Sequence, residues 1–183
     1  MTNHDAAASD FIGRQPELAT LTTALDSALA GRGQVVMLAG EPGIGKTRLA
    51  HELTILATAK GATVLRGWCH ERRGAPPLWP WLQAVRTYLE NADTDQLRDD
   101  LGPGAADIAE ILPELTIRFK GLEKPPVLDQ DEARFRLYFS ITNFLKRASN
   151  RQPLVLVLDD LHWADEPSVL LLEFLAREIA TSP

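Results

Sequence analysis

Residues 40–47 read GEPGIGKT, and this stretch decides the fold of the chain. It matches the pattern G-x-x-x-x-G-K-[ST] at every fixed position. The glycines allow backbone N–H groups to turn inward around phosphate oxygens, in dihedrals that a side chain would disfavour. Lys46 supplies a cation for the outer phosphates, and Thr47 offers a hydroxyl ligand to Mg²⁺. The stretch therefore predicts a loop that holds the phosphates of a nucleotide. The predicted nucleotide contacts are Gly40, Glu41, Pro42, Gly43, Ile44, Gly45, Lys46, Thr47 and Arg48.

The residues on both sides of this loop support the interpretation. Residues 35–39 (VVMLA) form a short apolar run, which predicts a buried parallel strand. Leu49, Leu53 and Leu56 then repeat at helical spacing. A helix at this point would direct the positive end of its dipole toward the bound anion. The alternative, a glycine-rich turn with an unrelated lysine, does not account for the strand and the helix.

A second apolar run ends in two acids. Residues 154–158 (LVLVL) predict a buried strand, and Asp159 and Asp160 follow it directly. Because ligands of open parallel sheets bind at the carboxyl ends of the strands, the acids and the phosphate loop should meet at one edge. We assign Asp159 to Mg²⁺ and Asp160 to polarising the attacking water. The alternative is that both aspartates merely end the strand.

Composition and charge restrict the class of protein. The chain has 183 residues, 45% of them hydrophobic, 24% charged, and a formal net charge of −6. This length suits one domain, and the acidic balance argues against this segment binding a nucleic-acid backbone by itself. Cys69 is the single cysteine, so an internal disulfide is excluded and a reducing compartment fits. We find neither a signal peptide nor a membrane-spanning stretch and expect a cytoplasmic protein.

The rest of the chain alternates between helical and strand patterns. We expect a disordered tail over residues 1–10 and one domain over 11–183. Helices are predicted over 15–30, over 94–112 with a break at 102–104, over 131–148 and from Pro167 onward, with another strand over 63–67. This alternation predicts an α/β fold with a parallel sheet flanked by helices.

Three strands are few for such a sheet. The apolar last helix needs more sheet to cover, so we expect an incomplete domain whose C-terminal strands and lid are missing. An open sheet edge would favour a protein partner or self-association.

Three motifs together resemble one family of P-loop NTPases. Residues 11–18 (FIGRQPEL), the phosphate loop followed by Arg48, and residues 158–165 (LDDLHWAD) are similar to AAA and STAND ATPases. They most resemble the origin-recognition-like AAA ATPase domain of bacterial STAND regulators, including large ATP-binding LuxR-type transcription factors. The resemblance spans about residues 10 to 180.

The resemblance implies ligands and residue roles. ATP or ADP with Mg²⁺ would be the ligand. Phe11, Ile12 and Gly13 would lie on the adenine side. Lys46 and Asp160 would be catalytic, while Thr47 and Asp159 would hold the metal. Family members continue with a sensor strand, a lid and an arginine that contacts the γ-phosphate. Since this chain lacks them, we expect ATPase activity only when those parts complete it, and slow or no hydrolysis in isolation.

Three functions remain as hypotheses. The first is the ATP- and Mg²⁺-binding nucleotide switch of a STAND-type signalling or transcriptional regulator. The second is a truncated, non-catalytic nucleotide-binding or interaction module. The third is a replication-type AAA loader, which the LHWAD sequence and the acidic composition disfavour.

Overall fold

A computed structural model of the chain describes residues 14–71 and 74–181. The predicted tail and the predicted adenine-side residues Phe11, Ile12 and Gly13 lie outside these ranges. The elements within the described ranges are α1 Gln15–Leu29, α2 Lys46–Ala59, β1 Thr63–Trp68, α3 Trp79–Asn91, α4 Thr94–Leu101, α5 Ala105–Ile111, α6 Glu114–Arg118, α7 Gln130–Arg151, β2 Leu154–Asp159 and α8 Glu166–Glu178. Short 3₁₀ turns cover Gly102–Gly104, Leu161–Trp163 and Ile179–Thr181. The predicted helices and the break at 102–104 are confirmed.

The sheet of the described residues has two parallel strands, β1 and β2. Their register runs from Thr63 opposite Leu154 to Trp68 opposite Asp159. The side-chain amide of Gln83, in α3, makes two hydrogen bonds with the backbone of Trp68. The Trp68 N–H donates to Oε1 at 3.3 Å, and Nε2 donates to the Trp68 carbonyl at 3.1 Å. Helices flank the sheet, so the predicted α/β class with a parallel sheet is confirmed.

Alternate residues of the strands face two helical layers. Leu65 belongs to the larger apolar core, which α3 to α8 complete, whereas Val64 and Val155 pack against the smaller cluster of α1 and α2. This alternation is what a parallel strand covered on both faces requires. The sheet is thus the middle layer of three.

The larger core is built around the start of α3. Trp81 is buried and donates its indole N–H to the carbonyl of Ser168 in α8, at 3.1 Å. Gly67 of β1 lies so close to α3 that a Cβ there would come within 1.9 Å of the Pro80 carbonyl oxygen. Only glycine therefore allows α3 to pack this tightly on the sheet.

Buried polar contacts hold the outer helices of this layer. The hydroxyl of Tyr88 donates to Oδ2 of the buried Asp100 at 2.6 Å, which ties α3 to α4. Arg151, the last residue of α7, lies 3.4 Å from the other carboxylate oxygen of Asp100. Because β2 begins three residues after Arg151, this network also fixes where the acidic strand enters the sheet.

The predicted strand over residues 35–39 is not observed. Residues 32–41, which lie within the described range, form neither strand nor helix. Val35, Val36 and Met37 are exposed, Met37 to 70%. The apolar composition favours a strand, but a strand also needs a partner for its backbone groups. The segment and β2 line the same cleft without pairing.

Candidate functional site

The phosphate loop lies between this extended segment and α2. Gly40, Gly43 and Gly45 have φ values of 151°, 77° and 94°, all in the region that disfavours a side chain. Helix α2 begins at Lys46 directly after the loop, and within the described residues no side chain caps its first turn. Its N-terminal N–H groups are therefore available to an anion, which the helix dipole also favours.

The side chain of Lys46 holds the loop from inside. Its ammonium donates to the carbonyl of Gly40 at 2.9 Å and to that of Glu41 at 3.0 Å. An ammonium has three donors, so one remains for a phosphate oxygen even while both loop contacts persist. The ammonium of Lys46, which the sequence predicts to bind phosphate, therefore points across the phosphate loop.

The two residues after Lys46 lie in the first turn of α2. The side chain of Thr47 is exposed, so its hydroxyl is accessible to a metal ion. The guanidinium of Arg48 lies 2.8 Å from the carboxylate of Glu52. Because the guanidinium of Arg48 already pairs with the carboxylate of Glu52, its predicted contact with phosphate would have to form alongside that ion pair.

The acids lie where β2 ends. Asp159 is the last residue of the strand, and its carbonyl accepts the N–H of Cys69 at 3.0 Å, which pins its backbone to β1. Asp160 has a φ of 56° and is exposed. Its N–H donates to Oδ1 of Asp159 at 3.1 Å. The backbone of Asp159 is therefore held in the sheet, whereas the chain turns away from the sheet at Asp160.

Asp165 fixes the far end of this turn. It caps α8, because Oδ1 accepts the N–H of Ser168 at 3.0 Å and Oδ2 accepts its hydroxyl at 2.8 Å. Oδ1 also accepts the N–H of Leu78 at 3.3 Å, which links α8 to the start of α3. His162 and Trp163, in the turn between β2 and α8, are exposed.

The loop and the acids line one cleft of about 680 Å³. Gly40, Pro42 and Lys46 contribute from the loop, and Asp159 and Asp160 contribute from the end of β2. The remaining predicted loop contacts, Glu41, Gly43, Ile44, Gly45, Thr47 and Arg48, lie in the same loop and helix start but not on this wall. The structure thus brings the two predicted halves of the site together, and the ligand roles of the individual residues stay predictions.

Cys69 lies beneath the acids, a position that the sequence analysis did not recognise as part of this edge. Burial raises the pKa of the Cys69 thiol to about 11, and the negative charges of Asp165, Asp160 and Asp159 add to the effect. The thiol is therefore neutral at physiological pH. The signal was present in the sequence, because Cys69 follows β1 directly and parallel strands end at a common edge.

None of the helices in the described ranges combines the length and the apolar character needed to cross a bilayer.

Comparison with known proteins identifies the kind of domain that this chain resembles. The family model of the AAA ATPase domain matches residues 10–183. An uncharacterized protein of Rhizobium meliloti (strain 1021) is 28% identical over 191 residues, covering 94% of this chain and 18% of that protein. The hybrid signal transduction histidine kinase G of Dictyostelium discoideum is 25% identical over 186 residues, covering 94% of this chain and 5% of the kinase. No solved structure matches the chain. The chain therefore spans less than a fifth of either relative.

Proposed function

The chain belongs to the AAA ATPase domain family, and from that premise we propose that it binds ATP with Mg²⁺ as the nucleotide switch of a STAND-type signalling or transcriptional regulator. One observation carries the proposal. The phosphate loop and the acidic end of β2, more than 100 residues apart in sequence, line the same cleft. A nucleotide with its metal needs both a cradle of N–H groups and a nearby carboxylate.

The residues present fit a magnesium nucleotide. Mg²⁺ prefers a few oxygen ligands from protein, completed by phosphate oxygens and water. In the proposal, Thr47 and Asp159 hold the metal, and Lys46 binds the outer phosphates. Asp160, which is exposed at the end of its turn, polarises the attacking water. Bound Mg²⁺ would neutralise part of the charge that the acids place at this edge.

The role as a signalling switch is supported more indirectly. One relative is named as a signal transduction histidine kinase, and the LHWAD continuation of β2 resembles STAND regulators. Both relatives are more than five times longer than the matched segment, so the signal and the output would belong to other parts of such proteins. A cytoplasmic location completes the proposal, in which this acidic segment does not itself bind nucleic acid.

Titration calorimetry with ATP and Mg²⁺ tests the binding function. Lys46→Ala removes charge-assisted hydrogen bonds, each worth about 1.5–3 kcal/mol, so the affinity should fall at least about tenfold. Lys60→Ala is the matched control: Lys60 ends α2 and pairs with Asp26 of α1 at 2.5 Å, and its removal should leave ATP binding unchanged. Equal affinity of wild type and Lys46→Ala would refute the assignment of the site.

Turnover distinguishes a switch that hydrolyses ATP from one that only binds it. Asp160→Asn removes the carboxylate but keeps the size of the side chain, so ATP affinity should stay while phosphate release slows. The second candidate, a non-catalytic interaction module, is favoured by the exposed run at Val35, Val36 and Met37. If wild type at saturating ATP releases no phosphate above background, that result supports the non-catalytic candidate. Equal, measurable rates from wild type and Asp160→Asn would exclude Asp160 from the chemistry.

A further inference from the structure

The chain leaves β2 through a wound turn. We call this segment, residues 159–165, the acidic turn, because it begins with Asp159 and Asp160 and ends with Asp165. Asp160 has a left-handed φ of 56°, and its carbonyl accepts the N–H of Trp163 at 2.9 Å. Because the turn is bonded internally, its orientation is set by the contacts at its two ends.

The connection between β1 and α3 holds both ends of the acidic turn. At the first end, the N–H of Cys69 donates to the carbonyl of Asp159 at 3.0 Å. At the second end, the N–H of Leu78 donates to Oδ1 of Asp165 at 3.3 Å. Cys69 directly follows β1, Leu78 directly precedes α3, and both are buried. The first bond joins two backbone groups, whereas the second depends on a side chain and can be removed by substitution.

The backbone of Leu78 has an unusual conformation at this contact. Its φ is 63°, in the left-handed region, which is uncommon for leucine and costs conformational energy. Such a conformation persists only where the surrounding contacts determine it. The carbonyl of Leu78 accepts the N–H of Leu82, in the first turn of α3, at 2.9 Å, while its N–H is directed to Asp165. The bond to Asp165 is therefore one of the contacts that hold Leu78 in place.

Asp165 lies close to the two acids of the site without lining the cleft. Burial raises the pKa of the Cys69 thiol most, and the charges of the three aspartates of the acidic turn raise it further, so all three carboxylates lie near that thiol. Of the described residues, 159–162 line the cleft, whereas Asp165 does not. Both carboxylate oxygens of Asp165 already accept hydrogen bonds in the cap of α8. Asp165 is thus placed to orient the acids rather than to bind the ligand.

We propose that Asp165 is a positioning residue for the metal site: its bond to Leu78 holds the acidic turn so that Asp159 and Asp160 face the phosphate loop. This inference rests on the proposed function, because Mg²⁺ with ATP is the ligand that the two acids would hold. Residues that orient the ligands of a metal ion commonly contribute about 10–100-fold to its affinity. When the bond is lost, the anchor at Asp159 remains, and rotation at Asp160 moves the carboxylates relative to the loop.

A separate contact keeps α8 in place when this bond is lost. The indole N–H of Trp81, in α3, donates to the carbonyl of Ser168, in α8, at 3.1 Å. Leu171 of α8 is fully buried in the larger core. Neither contact involves the carboxylate of Asp165. Loss of the bond to Leu78 should therefore release the acidic turn without unfolding α8, and the role can be tested in a folded protein.

Two substitutions of Asp165 separate the bond to Leu78 from the cap of α8. Asp165→Asn keeps an oxygen at the Oδ1 position, so it retains both. Asp165→Ser keeps a favourable N-cap residue, but its hydroxyl is one bond shorter and does not reach the N–H of Leu78. Asp129→Ala, which removes the cap of α7, controls for a general loss of stability. Circular dichroism verifies that each variant is folded.

Calorimetry on the intact chain measures ATP affinity with Mg²⁺ and with EDTA in place of the metal. Mg²⁺ should strengthen ATP binding to wild type. In Asp165→Ser the affinity with Mg²⁺ should fall about tenfold, while the affinity in EDTA should stay within about twofold of wild type. Asp165→Asn and Asp129→Ala should stay within about twofold of wild type under both conditions.

Hydrogen exchange of the ligand-free chain gives a readout that needs no nucleotide. Exchange in residues 160–164 should be at least about fivefold faster in Asp165→Ser than in wild type, because the turn has lost one anchor. Asp165→Asn and Asp129→Ala should exchange there at the wild-type rate. Unchanged exchange in Asp165→Ser would refute the anchoring, whether or not ATP binds.

The outcomes separate this inference from the proposed function. If wild type binds ATP more tightly than Lys46→Ala, and Asp165→Ser keeps the wild-type response to Mg²⁺, the positioning role is refuted while the nucleotide site stands. Equal losses in Asp165→Ser and Asp165→Asn would show that the charge acts on the metal directly, which also overturns the inference. An equal loss in Asp129→Ala would overturn it as a general effect of stability. If the folded wild-type chain binds no ATP, the proposed function fails and the inference fails with it.

Discussion

Two apolar runs of similar composition differ in structure in this protein: one forms a strand and the other does not. Residues 154–158 (LVLVL) pair with β1 and lie half-buried between two helical layers. Residues 35–39 (VVMLA) form no strand, and Val35, Val36 and Met37 are exposed. An apolar composition therefore allows a segment to form a strand, but the strand forms only where a neighbouring strand pairs with it.

The difference separates the molecule into a packed part and an exposed part. The packed part contains β1, β2 and the helices α3 to α8, whose side chains form the larger core. The exposed part contains the 34–39 segment and the phosphate loop, most of whose residues are exposed. Segments that bind ligands are commonly drawn from the least stable parts of a fold, because they must move.

The largest expected effect contrasts one side chain from each part. Leu65→Ala removes a fully buried side chain of β1 and should lower the free energy of unfolding by about 2–5 kcal/mol. Met37→Ala, at a side chain exposed to 70%, should change it by less than about 0.5 kcal/mol without ligand. Urea unfolding followed by circular dichroism measures both.

A large loss for Met37→Ala in the ligand-free chain would contradict the comparison, because it would show that the run is already packed.

An intermediate effect is expected within the packed part, at Tyr88. Tyr88→Phe removes the hydroxyl that donates to buried Asp100 and leaves a carboxylate oxygen without that partner, at a cost of about 1–3 kcal/mol. The substitution keeps the ring, which lies 5.2 Å from that of Phe144. Nucleotide affinity should not change, since the contact lies outside the cleft; a loss of affinity equal to that of Lys46→Ala would contradict the separation into two parts.

The same hydroxyl predicts a pH dependence. Burial, followed by the hydrogen bond to Asp100, raises the pKa of Tyr88 to about 12. Because tyrosine in an unfolded chain ionises near pH 10, the unfolded state loses its proton first as the pH rises. The free energy of unfolding should therefore fall between about pH 10 and 12. Tyr138 and Cys69 shift in the same direction, so the contribution of Tyr88 is the difference between wild type and Tyr88→Phe.

The smallest expected effect compares two helix caps. Asp165→Ala should destabilise the fold by about 1–2 kcal/mol, because Asp165 bonds the first turn of α8 and also the N–H of Leu78. Asp129→Ala removes an exposed cap of α7, whose carboxylate accepts the N–H of Glu132 at 2.9 Å, and should cost about 1 kcal/mol or less. Thermal unfolding of the two variants gives the order, and a greater loss for Asp129→Ala would show that the Leu78 contact adds nothing.

Local signals in the sequence predicted much of the fold and the site. The predicted strands at 63–67 and 154–158 are both present, as β1 and β2, and the predicted break at 102–104 separates α4 from α5. The meeting of the phosphate loop with the acids followed from the rule for parallel strands, and the shared cleft agrees with it.

Contacts between distant side chains could not be predicted in this way. The bond from Tyr88 to Asp100 and the amide of Gln83 on Trp68 depend on how helices pack, which no local pattern of residues specifies. The exposure of the 35–39 run has a similar cause. Its apolar composition predicts burial, whereas the observed run has no strand partner within the described residues, which composition alone does not specify.

The amide of Gln83 also protects one edge of the sheet. It accepts the N–H of Trp68 and donates to its carbonyl, and both groups face the outer edge of β1 near its carboxyl end. A further strand could therefore pair with β1 at this point only by displacing the amide.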